Sequence, residues 1–162
     1  MANRSPAASP SDAAVVADEL AATVWDAATS FRGIDPATAA ERPAPGKWSL
    51  REIVGHLIDS ASNNHQRFVR AQEAADQSFP GYAQDHWVRA QDYQSRDWEA
   101  LIDLWQAYNL HLAHVIRAIP SEALETRLRV GGSEPVTLGW LVGDYLAHLR
   151  HHVHQILPES GS

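Results

Sequence analysis

The chain has 162 residues, no cysteine and a formal net charge of −7. This length fits one domain that can bury a core without crosslinks. The lack of cysteine excludes disulfides, thiolate zinc sites and a cysteine nucleophile. The negative charge argues against a protein that binds the phosphate backbone of nucleic acids. No apolar run reaches the roughly 20 residues of a membrane span, and no secretory signal pattern begins the chain, which together predict a cytoplasmic protein.

The first third of the chain predicts a leader, one long helix and a connection. Residues 1–10 are small and polar, and we expect them to form a disordered leader before a single domain over residues 11–158. From a predicted N-cap at Ser11, apolar residues recur at helical spacing as far as Gly33. The connection that follows is rich in proline and predicts at most one short turn of helix over residues 36–41.

The middle of the chain predicts a second long helix followed by a folded excursion. Ser49 and Glu52 have the spacing of a capping box, which predicts a helix from there to about Ala75. Residues 76–96 are too aromatic for a disordered linker and too long for a plain loop. We expect a folded segment there, with a short helix over residues 84–90.

The last third predicts two more long helices and a small arm between them. Helical spacing resumes over residues 97–119 and ends before a proline. Residues 127–136 alternate around Gly131-Gly132, which indicates a hairpin or an extended arm. Thr137 can cap a final helix over residues 138–157. Four long amphipathic segments with no convincing sheet predict an all-α four-helix bundle with a folded aromatic excursion between the second and third helices.

Three histidines have the spacing of a metal site. His148 and His152 lie one turn apart on the inward side of the last helix, the arrangement by which a helix offers two nitrogens to one ion. His56 lies beside the apolar face of the second helix. If these helices are neighbours, three neutral imidazoles converge and leave coordination positions open, as in catalytic rather than structural sites. Taken alone, His56 fits a satisfied core histidine better than a ligand, and His151 is the substitute if the helix phase differs.

A polar stripe continues from His56 along the second helix through Ser60, Asn63 and Arg67. Buried polar groups without partners are costly, so such a stripe is expected to form one wall of a polar pocket. In that pocket Asn63 and Arg67 are candidate catalytic residues, and Arg67 could hold an anionic part of a ligand or pair with a nearby acid.

Carboxylates and aromatic residues supply further candidates. Asp59 and Asp144 lie about one turn from the proposed ligands, where a carboxylate can orient an imidazole or accept a proton, although each also fits an ordinary surface charge. Tyr82 and Trp87 are first of all packing residues. Their place in the aromatic excursion also makes them candidates for a lid that helps to bind a cofactor.

An ordered set of motifs across residues 12–157 resembles the DinB-like superfamily, and in particular its YfiT-like branch. The resemblance lies in the segment Pro45-Gly-Lys-Trp-Ser-Leu-Arg-Glu-Ile-Val-Gly-His-Leu-Ile-Asp-Ser60, in Asn63, Arg67-Phe68, Gly81-Tyr82 and Trp87, and in His148-Leu-Arg-His-His152-Val-His-Gln-Ile156. The resemblance implies a four-helix bundle whose histidine triad, here His56, His148 and His152, binds zinc, nickel or a similar divalent ion.

The resemblance also implies a chemistry. Relatives include bacillithiol S-transferases and a mycothiol-dependent maleylpyruvate isomerase, so we expect transfer of a low-molecular-weight thiol to an electrophilic small-molecule substrate. A hydrolase that activates water, or a metal-binding bundle without catalysis, are the alternatives. The resemblance to this family and the six tryptophans favour a homodimer. We expect neither nucleic acid nor membrane as a partner.

Overall fold

The computed structural model describes residues 10–158, with side chains from residue 13 onward. Four long helices form the body of the fold and two short ones lie in the connections. In chain order they are α1 (Pro10–Arg32), α2 (Pro36–Ala39), α3 (Leu50–Arg70), α4 (Gln84–Ala90), α5 (Trp98–Ala118) and α6 (Leu138–Ile156). Residues 1–9 of the predicted leader lie outside the described part of the chain, whereas Pro10 already belongs to α1.

The four long helices pack into one bundle. Helix α1 packs along α5, α3 lies on the other side of α5, and α6 contacts both α1 and α3. A single hydrophobic core fills the space between them, and its largest fully buried side chains include Phe31, Phe68, Trp98 and Trp105. The prediction of an all-α four-helix bundle is confirmed, and it places α3 and α6 side by side, as a site shared between them requires.

The helix starts follow the local sequence closely. The capping box of α3 is present, since the Ser49 hydroxyl accepts from the Glu52 amide at 3.2 Å and the Glu52 carboxylate accepts from the Ser49 amide at 2.9 Å. Thr137 caps α6 by accepting from the Trp140 amide at 3.1 Å. Helix α1 begins one residue before the predicted cap Ser11, because the fixed φ of Pro10 suits the first helical position.

The predicted end of the second long helix was wrong by several residues. We expected it to continue to about Ala75, but α3 ends at Arg70. The chain then turns through Asp76, which has a left-handed φ of 60° and donates its amide to the Arg127 carbonyl at 2.9 Å. Pairing with a distant strand therefore overrides the helical preference of residues 72–75.

A small sheet lies at one end of the bundle, where no convincing sheet was expected. It has three strands in the order β1 (Gln77–Phe79), β2 (Arg127–Val130) and β3 (Val136–Thr137). The antiparallel pair β2–β3 is the predicted hairpin around Gly131-Gly132. Strand β1 comes from the aromatic excursion and runs parallel to β2, with Ser78 opposite Arg129. It joins the excursion to the hairpin, so that both border the same region of the bundle.

The rest of the excursion agrees with the sequence. The short helix expected over residues 84–90 is α4, and a 3₁₀ turn over Tyr93–Ser95 leads into α5. Tyr93 is buried against α3. Within residues 10–158, none of the helices combines the length and the apolar character that crossing a lipid bilayer requires.

Candidate metal centre

Three imidazoles meet between α3 and α6. His56 comes from the middle of α3, and His148 and His152 come from successive turns of α6. One ring nitrogen from each lies within 4.8 Å of the other two. The Nε2 atoms of His56 and His148 are 3.4 Å apart, and the three ring centroids are separated by 4.7 to 5.3 Å. The structure thus brings together the three side chains that the helical spacing selected.

The electrostatics of the cluster keep these rings neutral. Burial, with a smaller contribution from the neighbouring histidines, lowers the pKa of His56 to about 3 and that of His148 to about 4. Burial also lowers the pKa of His152, although its bond to Gln155 acts in the opposite direction. At neutral pH each imidazole therefore carries a free lone pair, which is the state that a metal requires of its ligands.

Hydrogen bonds and packing orient two of the rings. A proton on Nδ1 of His152 can be donated to Gln155 Oε1 at 2.8 Å, which leaves the lone pair on Nε2 toward the cluster. Trp48 covers His56 with ring centroids 5.0 Å apart. His56 is only 1% exposed, and its Nδ1 has no partner among the described residues. A buried ring nitrogen without a partner is unusual, and the donor set of three imidazoles fits a divalent ion such as zinc or nickel.

A cavity of about 330 Å³ opens beside His148. Polar side chains from α3 form one wall, α6 forms another, and the excursion and the hairpin close the remaining sides. Its lining consists of Ser60, Asn64, Arg67, Tyr82, Gln84, Val130, Ser133, Trp140, Leu141, Asp144, Tyr145 and His148. A ligand in this space can therefore reach His148, the member of the histidine cluster that lines the cavity.

Several of the predicted pocket residues line the cavity. Ser60, Arg67, Tyr82 and Asp144 are part of the lining, whereas Asn63 is not. The Asn63 side-chain amide donates to the Asp59 carbonyl at 2.9 Å along its own helix. The next residue, Asn64, takes the place expected for Asn63, and it is held by the Ser60 carbonyl at 2.9 Å. The predicted polar wall therefore exists through Ser60 and Arg67, with Asn64 in place of Asn63.

Asp59 lies in a closed network rather than at the cavity. It is 2% exposed, and its Oδ1 accepts from the Tyr93 hydroxyl at 2.6 Å and from Gln91 Nε2 at 2.8 Å. Its Oδ2 is buried without a partner among the described residues, and burial raises the pKa of the carboxyl group. Asp59 is thus placed to brace the excursion against α3 but not to meet a ligand, in contrast to the catalytic role expected for it.

Trp87 supports the cavity from behind. Its ring packs on that of Tyr82 with centroids 5.1 Å apart, but it does not belong to the lining.

The residues that sequence reasoning gave no role are Trp48, Gln84 and Trp140. Trp48 precedes the N-cap Ser49, and an apolar residue at that position commonly packs on the first turns of a helix, so this signal was available.

Two relatives are similar to this chain in sequence. Two candidate metal-dependent hydrolases, from Oceanobacillus iheyensis and Bacillus cereus, are each 24% identical to this chain over 111 residues, which is 68% of this chain and 64% of the relative. The match therefore spans less than two thirds of those relatives.

A solved structure and a family model extend the comparison. YfiT from Bacillus subtilis, described as a candidate metal-dependent hydrolase with an unusual four-helix bundle topology, matches with a TM-score of 0.77 and 21% identity, covering 91% of this chain and 83% of YfiT. At this identity the match shows the fold. The family model of the DinB superfamily matches residues 13–156, which include all three clustered histidines and nearly all of the bundle. The chain therefore belongs to the DinB superfamily.

Proposed function

We propose that this protein is an enzyme that depends on a divalent metal held by His56, His148 and His152. The observation that supports it is the convergence of three neutral imidazoles at the edge of a polar cavity. No carboxylate in the described part of the chain joins the cluster as a further ligand. Three protein ligands with open positions are typical of catalytic centres. A bound divalent ion would act there as a Lewis acid that lowers the pKa of a thiol or a water molecule.

The side chains of the cavity would bind and orient the substrate. Arg67 and Asn64 offer hydrogen-bond donors from α3, while Tyr82 offers a hydroxyl from the excursion. Burial raises the pKa of Tyr82 to about 12, and the charge of Asp59 also raises it, so the hydroxyl stays protonated at neutral pH. Trp140 and Leu141 provide an apolar surface on α6 that limits the access of water.

The first candidate reaction is transfer of a low-molecular-weight thiol, of the mycothiol or bacillithiol type, to an electrophile. The chain has no cysteine, so the sulfur must come from a cosubstrate. A thiol whose pKa is lowered at the centre needs no strong base from the protein, in agreement with the position of Asp59 away from the cavity. Zinc and nickel both suit imidazole ligands.

The second candidate reaction is hydrolysis, which one observation favours. Asp144 lines the cavity together with His148, one turn earlier on α6, and burial raises the pKa of its carboxyl group. A carboxylate with a raised pKa is a better proton acceptor for an attacking water. The names of the Oceanobacillus and Bacillus relatives, candidate metal-dependent hydrolases, agree with this alternative.

Parallel assays of the metal-loaded protein separate these reactions. One assay offers small thiols with an electrophile such as a chlorodinitrobenzene, and the other offers nitrophenyl esters and anilides. We expect turnover in the thiol assay and its loss in His152→Ala, with Asp144→Asn retaining most activity. Ester hydrolysis that depends on both His152 and Asp144 would instead establish the hydrolase. Turnover that survives removal of the metal would refute both reactions.

A further inference from the structure

Arg67 is a buried guanidinium without an acidic partner. It is 8% exposed, and its two hydrogen bonds go to neutral acceptors, the Asn64 side-chain oxygen at 3.4 Å and the Pro80 carbonyl at 3.3 Å. None of the ion pairs found within residues 13–158 includes it. Burial lowers the pKa of Arg67. A charge in this position is costly unless a counter-charge joins it.

Among the arginines whose side chains the structure describes, Arg67 is the buried one. Arg32, Arg42, Arg117 and Arg150 are more exposed and pair with carboxylates. Arg51 also lacks a carboxylate, but it donates to three backbone carbonyls at 2.9 to 3.3 Å and so ties the connections to α3. Arg67 does not join elements in this way, because both of its hydrogen bonds are long and one of them stays within its own helix.

The surroundings of Arg67 indicate what kind of anion fits. It is the one cationic side chain in the lining of the cavity as the structure describes it. The neighbouring donors, Asn64, Ser60 and Tyr82, are neutral. Asp144 lies in the same lining on α6 but forms no ion pair with Arg67. A single guanidinium with neutral donors suits a carboxylate, which it can bind through two parallel hydrogen bonds, better than a phosphate dianion.

We propose that the cavity recognises a carboxylate-bearing small molecule, whose carboxylate binds Arg67 while its other end reaches the histidine cluster at His148. The same cavity holds both side chains, so one ligand can contact both. The identity of the reacting end rests on the proposed function, whereas recognition of the carboxylate by Arg67 does not.

The test compares an acid with its amide, which has nearly the same shape but no charge. Binding of 3-mercaptopropionate and 3-mercaptopropanamide to the zinc-loaded protein is measured by calorimetry. We expect the acid to bind about ten-fold tighter or more, because a charge-assisted hydrogen-bonded pair is lost in the amide. Arg67→Gln should abolish this preference, and Arg67→Lys should retain part of it. Equal affinities of the wild-type protein for the acid and the amide, found also for a pair of ligands without a thiol, would overturn the proposal.

Two controls keep the result interpretable. Arg70→Gln, an exposed position on the last turn of the same helix, should keep the full preference for the acid. Butyrate and butyramide, which carry no thiol, are titrated into the metal-free protein. A preference for butyrate that depends on Arg67 supports the inference even if no thiol binds. In that case the proposed thiol transfer is contradicted, whereas recognition of the carboxylate by Arg67 is not. Absence of a preference in both ligand pairs, or a preference that persists in Arg67→Gln, would contradict the inference.

Discussion

Gly55 precedes His56 on α3 and lets the ring of Tyr93 lie directly against the helix. A Cβ atom at this position would stand 2.2 Å from the Tyr93 ring. Because Tyr93 is buried and bonded to Asp59, the ring has no room to retreat. We therefore expect Gly55→Ala to lower the free energy of unfolding by about 1–3 kcal/mol through overpacking, as measured by urea denaturation.

Gly143 provides a matched control for this substitution. It lies inside α6, and apart from its chain neighbours and the backbone of its own helix no atom of the described residues lies within 4 Å of the place where its Cβ would stand. Gly143→Ala should raise the free energy of unfolding by about 0.5–1 kcal/mol, because alanine favours the helix. If the two substitutions shift stability in the same direction, the close contact of Tyr93 with α3 does not exist in solution.

Individual site residues were predictable to different degrees. The three histidines follow from the i, i+4 spacing on α6 and from the polar border of α3, both of which are local patterns. Asn64 rather than Asn63 lines the cavity, and the two residues are separated by only about 100° around the helix. Which of them meets a cavity depends on how α3 is rotated against α6, and that rotation is set by packing of the whole bundle.

The start of α3 depends on its capping box, which also sets the position of His56 two turns later. Ser49 is fully buried, accepts from the Glu52 amide and donates to Gln94 Oε1 at 2.5 Å. Ser49→Ala should lower the free energy of unfolding by about 0.5–2 kcal/mol. Ser62→Ala, in the interior of the same helix, removes a hydroxyl bonded only to the Asp59 carbonyl and should change stability far less. Equal losses in chemical denaturation would show that the cap does not hold the helix start.

The same helix start predicts a pH dependence. The hydrogen bond from Arg42 is the largest influence that holds the pKa of Glu52 below its ordinary value of 4.5. Because the folded pKa is the lower one, the ion pair contributes fully above pH 4.5 and loses its contribution as the pH falls below that value. The stability difference between the wild-type protein and Arg42→Gln should therefore shrink below pH 4.5. A difference that stays constant down to pH 3, as expected for Arg89→Gln, would contradict this role of Arg42.

Elements with local signals were predictable, and elements that depend on distant pairing were not. Residues within or next to each element predict the short helix Gln84–Ala90 and the cap of α6 at Thr137. Strand β1 exists because it pairs with β2, which lies far along the chain, and its three residues carry no pattern of their own. The same pairing ends α3 earlier than its helical composition indicated.

At the scale of the whole molecule, the histidine cluster joins two helices that are far apart in sequence. A ligand that binds only the folded state stabilises it, by about 2.7 kcal/mol when its concentration is 100 times the Kd. We therefore expect zinc or nickel to raise the melting temperature of the metal-free protein and a chelator to reverse the rise. His148→Ala should melt at a temperature that neither treatment changes. A metal-dependent shift that persists in this variant would place the bound ion elsewhere.

Metal content tests most directly whether the three histidines form one metal centre. The wild-type protein, purified near neutral pH and analysed by elemental mass spectrometry, should contain about one divalent ion per chain, as expected for a single three-ligand site. His56→Ala, His148→Ala and His152→Ala should each contain almost none. His154→Ala, which removes an exposed histidine from the same helix as two of the ligands, should match the wild type. A folded wild-type protein that takes up no ion, or a triad variant that keeps its ion, would contradict the proposed centre.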